Sequence, residues 1–314
     1  MKLVVQIPCL NEEATLGLVI DSIPKKIEGI DQIVTLVIDD GSTDKTVEVA
    51  KEHGVEHFVH HVRNQGLGRS FHDGVLKALE LGADILVNVD GDNQHPQKMI
   101  GELVQPILNG QADIVIGDRQ TQTIEHFSAT KKFLQRVGSG AVNIAAGTKL
   151  PDAASGFRAY SRDSLMRLNT VTRFSYCTET IIQAGNKGLH IESIKVTSNP
   201  PTRKSRLFNS NFEHVAKSAV TIIRAYIMYK PLVLFGSLGL ILLILGLVPF
   251  ARYVILGFTE KHFSGHIQSL MLGSILITSA FICFALNVIA DLIRINRILT
   301  EDNLEQTKRL RFDN

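Results

Sequence analysis

Runs dominated by Val, Ile and Leu recur through the first two hundred residues, at Leu3–Ile7, Ile33–Ile38 and Ile85–Val89, each with a single polar residue. Shorter runs lie within 56–62 and 113–116. A strand covered on both faces shows such a run instead of an alternation, so these segments predict buried, parallel strands. Helical stretches separate them, from about Glu12, over 44–53, over 70–81 and over 96–108. This alternation predicts an α/β domain with a largely parallel sheet. Beyond residue 200 the pattern changes. Phe212, Val215, Ala219, Ile222, Ile223, Tyr226 and Ile227 recur at roughly helical spacing, which predicts an amphipathic helix over 211–230, lying on a membrane surface or packed on the front domain. Leu232–Phe250 and Ile267–Ala290 contain no charged residue, and each is long enough to cross the hydrocarbon layer of about 30 Å. The expected organisation is a front domain over 1–210, the amphipathic helix, a transmembrane hairpin over 231–293 and a basic tail over 294–314.

Charge sharpens this division. Residues 1–200 carry 20 Lys and Arg against 24 Asp and Glu, whereas 201–314 carry 13 against 7, so a near-neutral total of +2 hides an acidic front and a basic back. Arg203, Lys204, Arg206, Lys217, Arg224 and Lys230 precede the first apolar run; Arg294, Arg297, Lys308, Arg309 and Arg311 follow the second; Arg252 and Lys261 alone lie between. The positive-inside bias predicts cytoplasmic termini joined by a short outer loop. Met1 leads straight into an apolar run without a secretory-signal pattern, which also keeps the front domain cytoplasmic in expectation. Cys9, Cys177 and Cys283 have no paired spacing and suit a reducing compartment. The basic excess flanks apolar spans and lacks interleaved aromatics, which favours anionic membrane lipid over nucleic acid as its partner.

The candidate chemistry sits where strands end. Asp39, Asp40 and Asp44 follow the second run, and Asp90-Gly91-Asp92 follows the run at Ile85–Val89. Open α/β sheets bind ligands at such ends. Carboxylates this close repel unless a hard cation lies between them, and a divalent ion on oxygen ligands commonly bridges to a diphosphate. Turn chemistry alone would account for either cluster singly; the two together favour a nucleotide-diphosphate and metal site. His53, His57, His60 and His61 form a patch read as a solvated connection, since Gly54 is a helix stop that keeps His53 and His57 from sharing a face.

Pro8-Cys9-Leu10-Asn11-Glu12-Glu13, Asp39-Asp40-Gly41-Ser42-Thr43-Asp44 and Asp90-Gly91-Asp92-Asn93-Gln94-His95-Pro96 resemble, in order and content, the family-2 glycosyltransferases of the GT-A fold. Ser155-Gly156-Phe157-Arg158-Ala159-Tyr160 with two apolar spans behind it narrows the resemblance to the polyprenyl-phosphate group that contains dolichyl-phosphate mannose synthases. The resemblance implies an inverting enzyme that moves one sugar from a UDP or GDP sugar to a polyprenyl phosphate. It implies that Pro8, Asn11, Glu12, Asp39, Asp40, Asp90 and Gly91 hold the nucleotide, and that Asp90, Asp92 and Gln94 hold Mg²⁺ or Mn²⁺. Asp92 is thereby a catalytic residue, with Arg119 and Arg158 beside the phosphates. Arg203 and Arg206 fall where the family carries a basic segment that closes over the nucleotide, with Arg206 in place of a Lys. Asp152 and Glu179 are sugar-orienting or merely structural. A processive polysaccharide synthase of the same superfamily is disfavoured because its Gln-x-x-Arg-Trp motif needs a Trp and the chain has none. A silent membrane scaffold is disfavoured because both Asp90 and Asp92 are present. A homo-oligomer stays open.

Overall fold

Seven strands form one mixed sheet in the order β3-β2-β1-β4-β6-β5-β7, with β1 (Lys2–Cys9), β2 (Gln32–Asp39), β3 (His57–His60), β4 (Ile85–Asn88), β5 (Ile114–Asp118), β6 (Arg158–Ser161) and β7 (Ile191–Lys195). The computed structural model describes residues 1–121, 129–172, 176–197, 199, 220, 227–260 and 267–313. Strands β3, β2, β1 and β4 run parallel, as β5 and β7 do, whereas β6 lies antiparallel between β4 and β5. Leu3, Val5, Ile7, Val37 and Val87 are fully buried, as the predominantly apolar runs require.

Helices α1 (Leu16–Asp21), α2 (Thr46–Glu52), α3 (Leu67–Glu80), α4 (Ile100–Leu108), α5 (Ala129–Ala146), α6 (Arg162–Arg167) and α7 (Tyr176–Asn186) connect or flank the strands. The helix expected from Glu12 starts only at Leu16, because Asn11 adopts φ 56° and the chain after β1 first forms a loop. The chain leaves β1 for β2 on one side and returns to β4 on the other. The order reverses at β1, which opens a crevice at the carboxyl ends of β1 and β4.

Two further helices follow, α8 (Pro231–Glu260) and α9 (Ile267–Phe312), both long and apolar enough to cross a membrane. In α9 the apolar run ends at Ala290 and charges begin at Asp291. The chain forms two compact units: Met1–Ile222 with Glu301–Asn314, and Ile223–Thr300. The stretch expected as a basic tail therefore differs from that expectation. It continues α9, and its last turns belong to the first unit, where Lys308 Nζ donates to the carbonyls of Leu165 (3.2 Å) and Leu168 (2.7 Å). Lys187 pairs with Glu301 at 3.1 Å and Arg311 with Glu80 at 2.6 Å. Most of the expected amphipathic helix over 211–230 lies outside the described residues.

Candidate active site

The floor of the crevice is built by lacing the loop after β1 to the loop after β2. Asn11 N donates to Ser42 Oγ (3.0 Å), and Thr43 N donates to Asn11 Oδ1 (2.8 Å). Glu12 N donates to Thr46 Oγ1 (2.8 Å). Thr15 Oγ1 donates to the carbonyl of Gly91 (2.7 Å), tying in the loop after β4. A Cβ on Gly91 would stand 3.2 Å from Glu12 Cγ and 3.3 Å from Cys9 Sγ, so a larger residue would have to push these side chains aside by a few tenths of an ångström. Pro8 lies within β1, level with Ile38 of β2.

The two neighbouring carboxylates, Asp39 and Asp40, do different things. Asp40 is buried and its carboxylate accepts from Gln65 N (2.8 Å) and Gly66 N (2.9 Å), with His61 Nδ1 at 2.7 Å. It thereby fixes the loop that crosses Gly41, where a Cβ would stand 2.8 Å from the Arg63 carbonyl carbon. Asp39 accepts from Ser42 N (2.9 Å) and lies 3.4 Å from His60 Nδ1. Both carboxylates are buried and held by the protein's own groups, Asp40 by the 63–66 loop and Asp39 by Ser42 and His60. His61, expected in a solvated patch, is instead buried between Asp40 and Asp73, the latter at 3.1 Å from its Nε2. A ring with a carboxylate against each nitrogen is inward-facing whatever its sequence neighbours suggest.

The loop after β4 carries the metal candidates. Asp90 Oδ2 accepts from His95 Nε2 at 2.9 Å, while the Asp90 side chain keeps 39% of its surface open. His95 is buried and its ring stacks on Phe157 with centroids 5.3 Å apart. Burial alone would raise the Asp90 carboxyl; the charge and hydrogen bond of His95, with the charges of Arg119 and Arg158, outweigh it and hold the group below the ordinary carboxylate range. Asp92 accepts from Gln94 N (3.1 Å) and Gln94 Nε2 (2.7 Å). Gln94, expected as a ligand, uses its amide N–H to orient Asp92, and its Oε1 is the atom that would serve as a ligand.

Among the described residues no cluster of three or more His, Cys, Asp or Glu gathers as a closed metal site. An ionised Asp90 with an open face and an oriented Asp92 nevertheless fit Mg²⁺ or Mn²⁺, which take one or two protein carboxylates and complete their shell with substrate phosphate and water. The orienting hydrogen bonds on both carboxylates are those expected around such an ion.

The predicted arginines divide. Arg119 forms a two-pronged pair with Asp152, Nε to Oδ2 at 2.7 Å and a terminal nitrogen to Oδ1 at 3.0 Å, with a quarter of its side chain exposed. Burial opposes ionisation of Asp152, but Arg119 holds the carboxyl below its ordinary value. This assigns Asp152 to orienting Arg119. Arg158 does not face the phosphates as expected. It is fully buried, and its guanidinium donates to the carbonyls of Ser155 (2.7 Å), Ala153 (2.9 Å) and Cys177 (2.9 Å) and to Thr180 Oγ1 (3.0 Å). β6 opens at Arg158 inside the sheet, so its side chain is committed to the interior, where it braces the loop over 153–156. That loop walls the site: Asn88 Nδ2 and Tyr176 Oη each donate to the Gly156 carbonyl, and a Cβ on Gly156 would stand 3.2 Å from Asp90 Oδ2. Glu179 is also internal, with Oε2 accepting from Val171 N, Thr172 N and Thr172 Oγ1. Arg203 and Arg206 lie outside the described residues.

His95 went unassigned in the sequence, although its place five residues after Asp90 was a usable signal. Asn88 and Tyr176 offered none, being 88 positions apart.

Comparison with known proteins agrees with the geometry. The family model described as Glycosyl transferase family 2 matches residues 4–168. A UDP-N-acetylglucosamine–dolichyl-phosphate N-acetylglucosaminyltransferase of Methanococcus voltae is 30% identical over 211 residues, 60% of this chain and 82% of the relative. An undecaprenyl-phosphate mannosyltransferase of Micrococcus luteus is 30% identical over 179 residues, 54% and 70% of the two chains. Among solved structures, the glucosyl-3-phosphoglycerate synthase of Mycobacterium tuberculosis with Mn²⁺, UDP and phosphoglyceric acid superposes with a TM-score of 0.55 at 23% identity, covering 71% of this chain and 76% of that one, a likeness of fold.

Proposed function

Since the chain belongs to glycosyl transferase family 2, we propose that this polyprenyl-phosphate glycosyltransferase moves a single sugar, with inversion, from a UDP or GDP sugar to a polyprenyl phosphate at the cytoplasmic face of a membrane. The observation that carries the donor half is the pair Asp90 and Asp92, each oriented by a neighbouring side chain, at the crevice where the strand order reverses. Two relatives named for polyprenyl phosphates, and two apolar spans in the same chain, support the acceptor half.

Asn11, Glu12 and Asp39 line the nucleoside end, where their oxygens accept hydrogen bonds from the base or ribose. Asp90 and Asp92 hold Mg²⁺ or Mn²⁺, which when bound neutralises charge developing on the departing diphosphate. Arg119, aimed by Asp152, adds a second cation beside those phosphates. A lipid phosphate is already anionic at neutral pH, so its oxygen attacks the anomeric carbon without a protein base. The new bond forms on the face opposite the breaking bond, and the electron pair leaves with the nucleoside diphosphate. Arg203 and Arg206 meet the acceptor phosphate near the headgroup plane in this reading, which spares the chain the task of drawing a long apolar lipid into a soluble site.

The test is a panel of UDP and GDP sugars with a short-chain polyprenyl phosphate and divalent metal, read by lipid-linked product and its anomeric configuration. The expected result is one sugar per lipid with inverted configuration. Growth of a polymer would favour the processive reading, and no release of nucleoside diphosphate with any donor would favour the scaffold.

A further inference from the structure

The two metal-binding carboxylates are not oriented independently. Gln94 aims Asp92 and His95 aims Asp90, and the backbone carrying both helpers is held from across the sequence by one residue. Asn199 Nδ2 donates to the carbonyls of Asn93 (3.0 Å) and His95 (3.1 Å), and Asn199 N donates to the carbonyl of Gln94 (3.1 Å). Three consecutive carbonyls are thus taken up by a residue 104 positions from His95. Their loop includes Asn93 in the left-handed region at φ 59°, which an asparagine tolerates better than most residues.

We infer that Asn199 is a positioning residue for the metal site, setting the separation and aim of Asp90 and Asp92 by clamping the loop that bears Gln94 and His95. This rests on the metal–diphosphate reading above and adds a residue whose side chain contacts the backbone of the loop and not the carboxylates themselves. The physical reason is ligand geometry: Mg²⁺ and Mn²⁺ demand closely placed oxygens, so a loop free to relax would separate the carboxylates before it unfolded the domain.

The decisive measurement is Mn²⁺ binding to the full-length protein, followed by the resonance of free Mn²⁺ in the presence of UDP and separately of GDP, alongside the thermal midpoint. Asn199→Ala should weaken Mn²⁺ about tenfold, the lower end of what loss of an orienting partner does. Asn199→Asp, which sets a carboxylate against the Asn93 and His95 carbonyls, should weaken it further. The comparison variant is Asn186→Ala, which removes a clasp within α7 and to the Ala145 carbonyl and should lower the midpoint while leaving Mn²⁺ binding as it was. A double variant with His95→Gln should lose less than the two single losses combined, because the clamp acts partly through that ring. Mn²⁺ affinity of Asn199→Ala within twofold of wild type, or an equal loss in Asn186→Ala, would overturn the inference while leaving the metal reading intact. Wild-type protein that binds no Mn²⁺ with either nucleotide would overturn both.

Discussion

The two compact units use the same apolar residues in opposite ways. In the first, Leu3, Val5 and Ile7 are fully buried, and charged groups that go inside, such as Arg158 and Asp152, come with partners. In the second, Ile244 is 55% exposed, Ile275 62% and Phe281 63%, while the small Ala280 is buried. Where α8 and α9 meet, a Cβ on Gly246 would stand 2.8 Å from Ile277 Cγ1 and 3.1 Å from the Gly273 carbonyl oxygen, so the two helices approach closely at these glycines. Large apolar side chains turned outward, with glycine and alanine at points of close approach, are the pattern expected of a helix pair long and apolar enough to cross a membrane. The first unit buries its apolar side chains and gives its internal charges partners; the second leaves large apolar side chains on its outer faces.

That contrast yields predictions of decreasing size. Asp92→Asn removes one charged metal ligand from the water-facing unit and should cut transfer by about a hundredfold or more with the fold retained. Full activity after treatment with a chelator would refute it. Ile244→Lys places a charge on an outward face of α8 and should cost about 2.5–3.5 kcal/mol of insertion, whereas Ile244→Leu should cost nearly nothing. Equal membrane retention of the two variants after alkaline extraction would break the comparison between the units. Arg158→Met should destabilise the first unit by about 3 kcal/mol, because three interior carbonyls lose their donor, and should be seen chiefly in the unfolding midpoint. An unchanged midpoint with a raised donor KM would return Arg158 to the phosphates.

The smallest effect concerns Lys308, in the charged end of α9 beyond the apolar span. Burial lowers its pKa from 10.5 to about 8, helped by the charge of Lys187 and opposed by Glu305. The folded form therefore binds the proton less tightly than the unfolded chain. Stability from this group should rise as pH climbs from about 8 toward 10.5, where the unfolded chain still carries the proton and the folded one does not. Lys308→Met should flatten that part of the stability profile, as followed by denaturation at several pH values. The same rise in wild type and variant would show that another group carries it.

Local pattern was enough for much of this protein. Strands buried on both faces announced themselves as predominantly apolar runs, and the two long apolar helices by length without charge, because those properties are set by neighbours along the chain. The motif carboxylates Asp39, Asp90 and Asp92 were likewise legible, since a strand end and a tight turn are local events. Tertiary structure alone decided what depended on distant partners. It separated Asp39 from Asp40 by wrapping the 63–66 loop around the latter, and it turned Arg158 inward because β6 is threaded between β4 and β5. It brought Asp152 to Arg119 across 33 positions and Asn199 to the metal loop across more than a hundred. A charged side chain at a strand end reads the same in sequence whether it meets solvent, substrate or a carbonyl. Only the sheet order determines which of these lies opposite it, and with that whether it binds a ligand or braces the fold.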